Sequence, residues 1–140
     1  MITLNSTTTH SILTFGYGNR KSHAEFLAYL KEHSVVMVAD VRYSPRAWSA
    51  IWNAQGIRKV CEQVGVQYAS MPELGNTSGT ADWVPPDPDK VVKALQELAK
   101  LTELGSVALV CAELNPKSCH RTSVANALAS IVKMPVIHLP

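Results

Sequence analysis

Residues 111–121 contain the densest group of side chains capable of chemistry in this 140-residue chain. An apolar run ends there and a helical pattern begins, and between them stand Cys111, Cys119, His120 and Arg121. The amide groups at a helix N-terminus, together with an arginine, suit an anion. The same surroundings would favour the thiolate form of Cys119, which makes this residue the best candidate nucleophile. The alternative is that Cys119, like Cys111 at a strand end, only packs in the interior.

A second group follows another apolar run, where Asp40 and Arg42 flank Val41. A buried carboxylate needs a partner, so these side chains form either a structural ion pair or part of a binding site. Glu113 and Glu73 could act as a general acid or base if burial raised their pKa. We take Asp40, Glu113 and Cys119 as catalytic candidates. The residues expected to bind a ligand or anion are Gly16, Asn19, Arg42, Arg46, Glu73, Cys111, His120 and Arg121.

Aromatic residues are also frequent in the predicted loops. They can stack on a nucleotide base or sugar, or they can pack as lids on the core, and the sequence leaves both roles open for Tyr17, Trp48, Trp52 and Trp83.

A soft metal site is the weaker interpretation of the cysteines and histidines. Cys111, Cys119, His120 and His138 could be gathered around an ion, but no pair has the short spacing typical of zinc ligands. We therefore expect no metal and no cofactor.

The composition is that of one compact domain, with 46% hydrophobic and 17% charged residues, which excludes disordered and coiled-coil proteins. A net charge of +2 is too small to attract nucleic acid or a membrane by itself, so any anion site must be local. Three cysteines without a CxxC pair suggest neither a disulfide scaffold nor a zinc knuckle, and they favour the cytoplasm. The sequence shows neither a signal peptide nor a run of about 20 apolar residues. We therefore expect no contact with a membrane.

Apolar runs alternate with helical patterns after a polar segment of residues 1–10. The runs predict strands over residues 12–15, 35–41, 66–70, 107–112 and 135–139. The first of four helices should begin with a capping box formed by Ser22 and Glu25, the third at Asp87 or Asp89, and the last at Ser118. Gly65 and Gly105 should end the second and third helices.

This alternating order is typical of an open, mostly parallel sheet with helices on both faces. We predict a single α/β domain over residues 11–140, with a five-stranded sheet in a Rossmann-like, three-layer fold. Ligands of such sheets bind outside the carboxyl ends of the strands. Four clusters that follow the strands should therefore form one site, namely residues 16–20, 40–46, 72–75 and 111–121.

The same motifs, in the same order, resemble the DUF488 family of bacterial and archaeal proteins, whose function is unknown. They are TFGYGN at 14–19, DVR and SPR within 40–46, PELG at 72–75, and CAE and CHR within 111–121. The family usually has His-Ser after the first glycine, where this chain has Tyr17 and Gly18. The resemblance implies a compact α/β domain with a link to nucleotide or nucleic-acid processing, and it names no reaction.

A more distant similarity connects the chain to rhodanese-like domains, through DVR and the helix start Arg121–Ala125. The spacing differs, because nine residues separate Cys111 from Arg121 where rhodaneses have four or five. A loop of another length cannot form the same anion-binding cup.

Three functions follow from these observations. The first is a domain that binds or acts on a phosphate-bearing ligand, a nucleotide or nucleic acid, at the carboxyl edge of the sheet. The second is rhodanese-like or redox chemistry at Cys119. The third is a non-enzymatic domain, either an accessory domain or one that forms a homo-oligomer. The sequence leaves open whether the protein is an enzyme.

Overall fold

The computed structural model of the protein describes residues 10–18, 20–44, 50–113, 115 and 119–140. Within these residues one sheet is formed by β1 (Ile12–Gly16), β2 (Val35–Asp40), β3 (Gln67–Ser70), β4 (Ser106–Cys111) and β5 (Val136–His138). The strand order is β3-β2-β4-β1-β5, and each neighbouring pair is parallel. The predicted five-stranded α/β sheet is confirmed, and it is parallel throughout.

The helices of the described chain are α1 (Ala24–Glu32), α2 (Ala54–Gln63), α3 (Pro88–Leu101) and α4 (Arg121–Val132). Successive strand residues point to opposite faces of a sheet. Ile12 accordingly packs in a cluster with residues of α3 and α4, whereas its neighbour Leu13 packs in a second cluster with residues of α1 and α2. The two clusters lie on opposite faces of the sheet, which gives the three predicted layers.

The burial of the strands explains why their sequences are continuous apolar runs. Every residue of β1 and of β4 is buried, because these strands lie inside the sheet and are covered on both faces. The edge strand β3 is half-buried or exposed along its length.

Two predicted helix starts are wrong and one is confirmed. Helix α1 has His23 as its N-cap, and the His23 side chain makes no capping bond. The predicted capping box is absent, because Glu25 forms an ion pair with Arg20 at 2.8 Å instead of closing the box with Ser22. Helix α4 begins at Arg121 with His120 as its N-cap, and Ser118 lies outside the described residues. Asp87 caps α3 by accepting a bond from the Asp89 amide at 3.1 Å.

The predicted helix ends were also only partly right. Gly65 follows α2 with a φ of +73°, a left-handed conformation that glycine adopts at no steric cost. Helix α3 ends at Leu101 rather than at Gly105. No helix in the described ranges is long and apolar enough to cross a membrane. The separation of a polar segment 1–10 from a domain 11–140 stays a prediction, since residues 1–9 are outside the description.

Candidate functional site

A cleft of about 700 Å³ opens at the carboxyl edge of the sheet, where β2 and β4 end. Its described wall comes from three parts of the chain: the end of β2, the segment from the end of β4 to the start of α4, and a loop before α3. The lining residues are Arg42, Tyr43, Ser44, Asn76, Gly79, Thr80, Ala81, Cys111, Ala112, Glu113, Cys119 and His120. The topology therefore brings two of the four predicted clusters into one wall, as expected for a parallel sheet.

Asp40 is fully buried beneath the cleft and holds Arg42 in place. The Arg42 guanidinium donates from Nε to one carboxylate oxygen at 2.8 Å and from Nη2 to the other at 2.6 Å. Its Nη1 donates to the carbonyl of Trp52 at 2.8 Å, and Tyr68 donates its hydroxyl to Asp40 at 2.6 Å. The predicted alternative of a structural ion pair is thus the one that the geometry favours for this pair.

The pKa directions of the network agree with this role. Burial alone would lower the pKa of Arg42, but the bond and the charge of Asp40 outweigh it and the pKa is raised. Burial and the bond to Asp40 raise the pKa of Tyr68, so its hydroxyl stays a donor. Sequence reasoning missed Tyr68, because only the β2–β3 pairing places this edge-strand residue near Asp40.

Arg121 is also internal rather than in the cleft wall. Its side chain is fully buried, and Nη1 donates to the backbone carbonyl of Glu113. Burial lowers the pKa of Arg121 to about 10, which still leaves it charged near neutral pH. Gly16 permits this arrangement, because a Cβ at residue 16 would overlap the Glu113 carbonyl. The carboxylate of Glu113 belongs to an exposed residue of the cleft wall.

Cys111 and Cys119 are joined by a disulfide, which the odd cysteine count did not predict. Cys111 is the last residue of β4, and Cys119 precedes the N-cap of α4 instead of lying in the first helical turn as predicted. Both are largely buried, and both line the cleft. The third cysteine, Cys61, is a fully buried free thiol on α2.

His120 contacts both sulfurs of this disulfide through Nδ1, at 4.0 Å from each. Its other nitrogen, Nε2, lies 2.8 Å from the carbonyl oxygen of Val41 and 3.1 Å from that of Leu74. Carbonyl oxygens only accept hydrogen bonds, so Nε2 carries the proton and Nδ1 presents a lone pair to the sulfurs. Burial lowers the pKa of His120, which agrees with a neutral ring.

The remaining predicted site residues lie elsewhere. Glu73 is half-buried on a 3-10 turn (Pro72–Leu74) and does not line the cleft. Asn19 and Arg46 are outside the described residues, as is Trp48. Of the loop aromatics, Tyr17 stacks on Trp52 with ring centroids 5.3 Å apart, so both pack in the core. His138 bonds to Thr14 at 2.7 Å and is not part of the cysteine cluster.

The loop before α3 contributes Asn76, Gly79, Thr80 and Ala81 to the cleft. Its conformation is fixed by Asn76, whose side chain donates to the carbonyl of Thr80 at 2.7 Å and accepts from the amide of Val84 at 2.8 Å. This side-chain bonding mimics a backbone turn. The Pro-, Gly- and Ser-rich composition indicated a loop, but nothing in it specified which residues face the site.

The family model described as Domain of unknown function DUF488 matches residues 22–128. No curated protein and no solved structure matches the chain significantly. The matched region runs from just before α1 to within α4, so it contains the described cleft wall, both cysteines of the disulfide and His120. The protein is therefore a member of the DUF488 family.

Proposed function

We propose that this domain carries out thiol–disulfide chemistry with the Cys111–Cys119 pair. Cys119 is the cysteine that forms the mixed disulfide: a substrate thiol attacks it in the oxidised protein, and it is the nucleophile when the reduced protein reacts in the reverse direction. The observation that carries the proposal is the convergence of both sulfurs and the Nδ1 of His120 on the wall of an open cleft. A disulfide that only braces a fold needs neither a basic nitrogen beside it nor access to a substrate.

The position of Cys119 supports its role as the nucleophile. It lies immediately before the N-cap of α4, and its carbonyl accepts a bond from the amide of Thr122 at 3.3 Å. The positive end of a helix dipole stabilises a thiolate at such a place. Cys111, at the end of β4, is then the resolving partner.

The reaction is a two-electron exchange with a dithiol substrate. A substrate thiol attacks Cys119 and forms a mixed disulfide with it, while the proton of this thiol passes through the acceptor Nδ1 of His120 to Cys111, which leaves as a thiol. The second substrate thiol then attacks the substrate sulfur of the mixed disulfide, and its proton passes through the same nitrogen to Cys119, which is released as a thiol. In sum, the protein disulfide gains two electrons and two protons, and the substrate dithiol loses them and becomes a disulfide.

Binding of a nucleotide or nucleic acid at this edge stays a prediction and has less support. Among the described lining residues the cation is Arg42, and its guanidinium is engaged by Asp40 and the carbonyl of Trp52. Glu113 adds a carboxylate to the same wall, which would repel a phosphate. A thermal-shift screen with nucleotides and short oligonucleotides tests this alternative, for which our account expects no shift.

The cytoplasmic location and the self-association predicted from the sequence also stay predictions. The location agrees with the proposed chemistry, because disulfides in reducing compartments are usually transient and catalytic or redox-sensing.

A single-turnover reaction tests the proposed function. The native oxidised protein is mixed with a small dithiol, and the protein thiols that appear are counted by alkylation and mass spectrometry. We expect about one dithiol to be consumed per chain. Cys119→Ser and Cys111→Ser should abolish the reaction, whereas Cys61→Ala is a matched control that should leave it unchanged. Reduction that occurs only in denaturant, or that persists in Cys119→Ser, would contradict the proposal.

A further inference from the structure

We propose that, in the reduced protein, Cys111, Cys119 and His120 bind one zinc ion, with the fourth coordination position open to the cleft. This inference rests on the proposed function in one respect, since the metal requires the dithiol form of the pair. It also departs from the sequence, in which the ligand spacing gave no reason to expect a metal.

The donor atoms of the cluster are those that zinc prefers. The two Sγ atoms and the Nδ1 of His120 lie within 4.8 Å of one another, and all three residues are buried. Two thiolates and an imidazole are ligands that zinc prefers, whereas magnesium and calcium require oxygen ligands. The two thiolates also balance the charge of a divalent ion.

The His120 ring is oriented as a metal ligand. Its Nε2–H is committed to the carbonyl oxygens of Val41 and Leu74, at 2.8 and 3.1 Å. Zinc-binding histidines almost always make such a contact with their second nitrogen, because it fixes the tautomer and turns the lone pair toward the metal. Two backbone carbonyls therefore hold the His120 ring in a ligating orientation before any ion binds. One belongs to Val41, just after β2, and the other to Leu74, in the 3-10 turn Pro72–Leu74.

The sulfur–nitrogen distances of the cluster are close to those of a zinc site. Zinc bonds of about 2.3 Å to sulfur and about 2.0 Å to nitrogen, in tetrahedral geometry, need a sulfur–nitrogen separation of roughly 3.6 Å. The observed separations are 4.0 Å for both cysteines. Each sulfur must approach the nitrogen by a few tenths of an ångström and move away from the other sulfur once their bond is reduced.

The three ligands can be reached from the cleft. All three residues line the cleft, so an ion bound between them would still face it. Three protein ligands with an open position are typical of catalytic zinc sites, whereas structural sites are closed by a fourth ligand. The cluster found among the described residues has three members. The open position would then take water or a polar group of a cleft ligand.

Binding should release protons from the cysteine thiols. Both cysteines bind the ion as thiolates, so one zinc ion displaces one proton from each thiol that is protonated before binding, up to two protons per ion. This stoichiometry distinguishes the site from adventitious binding to surface carboxylates, which are already ionised near neutral pH.

Titration of the reduced, chelator-treated protein with Zn²⁺ and with Co²⁺, under anaerobic conditions, tests the inference. We expect one ion per chain, the release of up to two protons per Zn²⁺, and a thiolate-to-cobalt charge-transfer band. Cys111→Ser and Cys119→Ser should each weaken binding roughly tenfold or more, and Cys61→Ala should not change it. The oxidised wild-type protein is a second control that needs no substitution, and it should bind no ion at this site.

Two outcomes would overturn the inference: no stoichiometric binding by the reduced protein, or the same binding by the Cys111→Ser/Cys119→Ser double variant. The thiol state of each sample is measured by alkylation in the same experiment. A pair that cycles between disulfide and dithiol without binding Zn²⁺ refutes the metal site and leaves the proposed function standing. A pair that cannot be reduced in the native protein refutes the proposed function itself.

Discussion

The side chain of Asp40 determines what Arg42 can do in this protein. The carboxylate is inaccessible to solvent and accepts two bonds from the guanidinium, so the charge of Arg42 is used inside the fold. A strand-end acid and base therefore serve here to position the end of β2, next to the Val41 carbonyl that holds His120. In our proposal, the reactive groups of the cleft are therefore the sulfurs of Cys111 and Cys119 and the imidazole of His120.

Asp40→Asn should destabilise the protein strongly, because it removes the buried carboxylate charge that accepts two bonds from the guanidinium of Arg42. We expect a loss of about 3–5 kcal/mol in the free energy of unfolding, measured with urea. Glu25→Gln is the matched control, since it breaks the ion pair between Arg20 and a glutamate whose side chain is 62% exposed. That loss should be about 0–1 kcal/mol. Equal losses in the two variants would refute the structural role of Asp40.

The three cysteines should differ in reactivity once the disulfide is reduced. Burial raises the pKa of Cys61 to about 12, so little of it is thiolate near neutral pH. In the native reduced protein at about pH 8, iodoacetamide should modify Cys119 first and leave Cys61 unmodified. Addition of urea should make all three cysteines reactive, which controls for the reagent. Modification of Cys61 at the rate of Cys119 in the native protein would contradict this assignment.

The end of β1 and the segment after β4 depend on each other through Gly16. A Cβ on this residue would overlap the backbone carbonyl of Glu113 and come within 3.0 Å of Nη1 of Arg121. The approach is between backbone segments, so no side-chain rotation can relieve it.

Gly16→Ala should therefore disturb both stability and the site. We expect a loss of about 1–3 kcal/mol from overpacking, together with slower reduction of the Cys111–Cys119 pair by a small dithiol. Gly65→Ala is the comparison, because residue 65 has no atom within 4 Å of an added Cβ and a φ of +73°. Its cost is conformational, about 1 kcal/mol, and the reduction rate should not change. A Gly16→Ala protein with wild-type stability and reduction rate would contradict the close approach.

The elements of this protein could largely be predicted from its sequence, because buried parallel strands are continuous apolar runs and the helices have apolar faces. The Asp87 cap of α3 could be predicted for the same local reasons. The capping box at Ser22 could not, since Glu25 instead pairs with Arg20. The site was harder, because the pairing of Cys111 with Cys119 and the bonds of His120 to Val41 and Leu74 depend on how distant segments meet.

The disulfide should also contribute to the stability of the whole molecule. It closes a short loop, with a sequence separation of 8, between β4 and the start of α4. A loop of this size restricts the unfolded chain by about 2–3 kcal/mol. Reductant should lower the unfolding free energy of the wild-type protein by that amount and should have no effect on the Cys111→Ser/Cys119→Ser variant. A reductant effect of the same size in the double variant would show that another group is responsible.

The strand order of the whole fold explains how the residues of the proposed redox site come together. Because β4 lies between β1 and β2, the segment that follows it meets the ends of both neighbours, through Arg121 and Gly16 on one side and through His120 and Val41 on the other. The sequence predicted a site at this edge with three anion-binding arginines. Arg121 is internal, Arg42 lines the cleft and is bonded to Asp40, and Arg46 lies outside the described residues.

A redox titration of the native protein in glutathione buffers, read by alkylation and mass spectrometry, tests the redox pair most directly. Our account predicts that Cys111 and Cys119 become reduced together in one two-electron transition while the protein stays folded, and that Cys61 is a free thiol throughout. Independent modification of Cys111 and Cys119, or a pair that is reduced only when the protein unfolds, would contradict it.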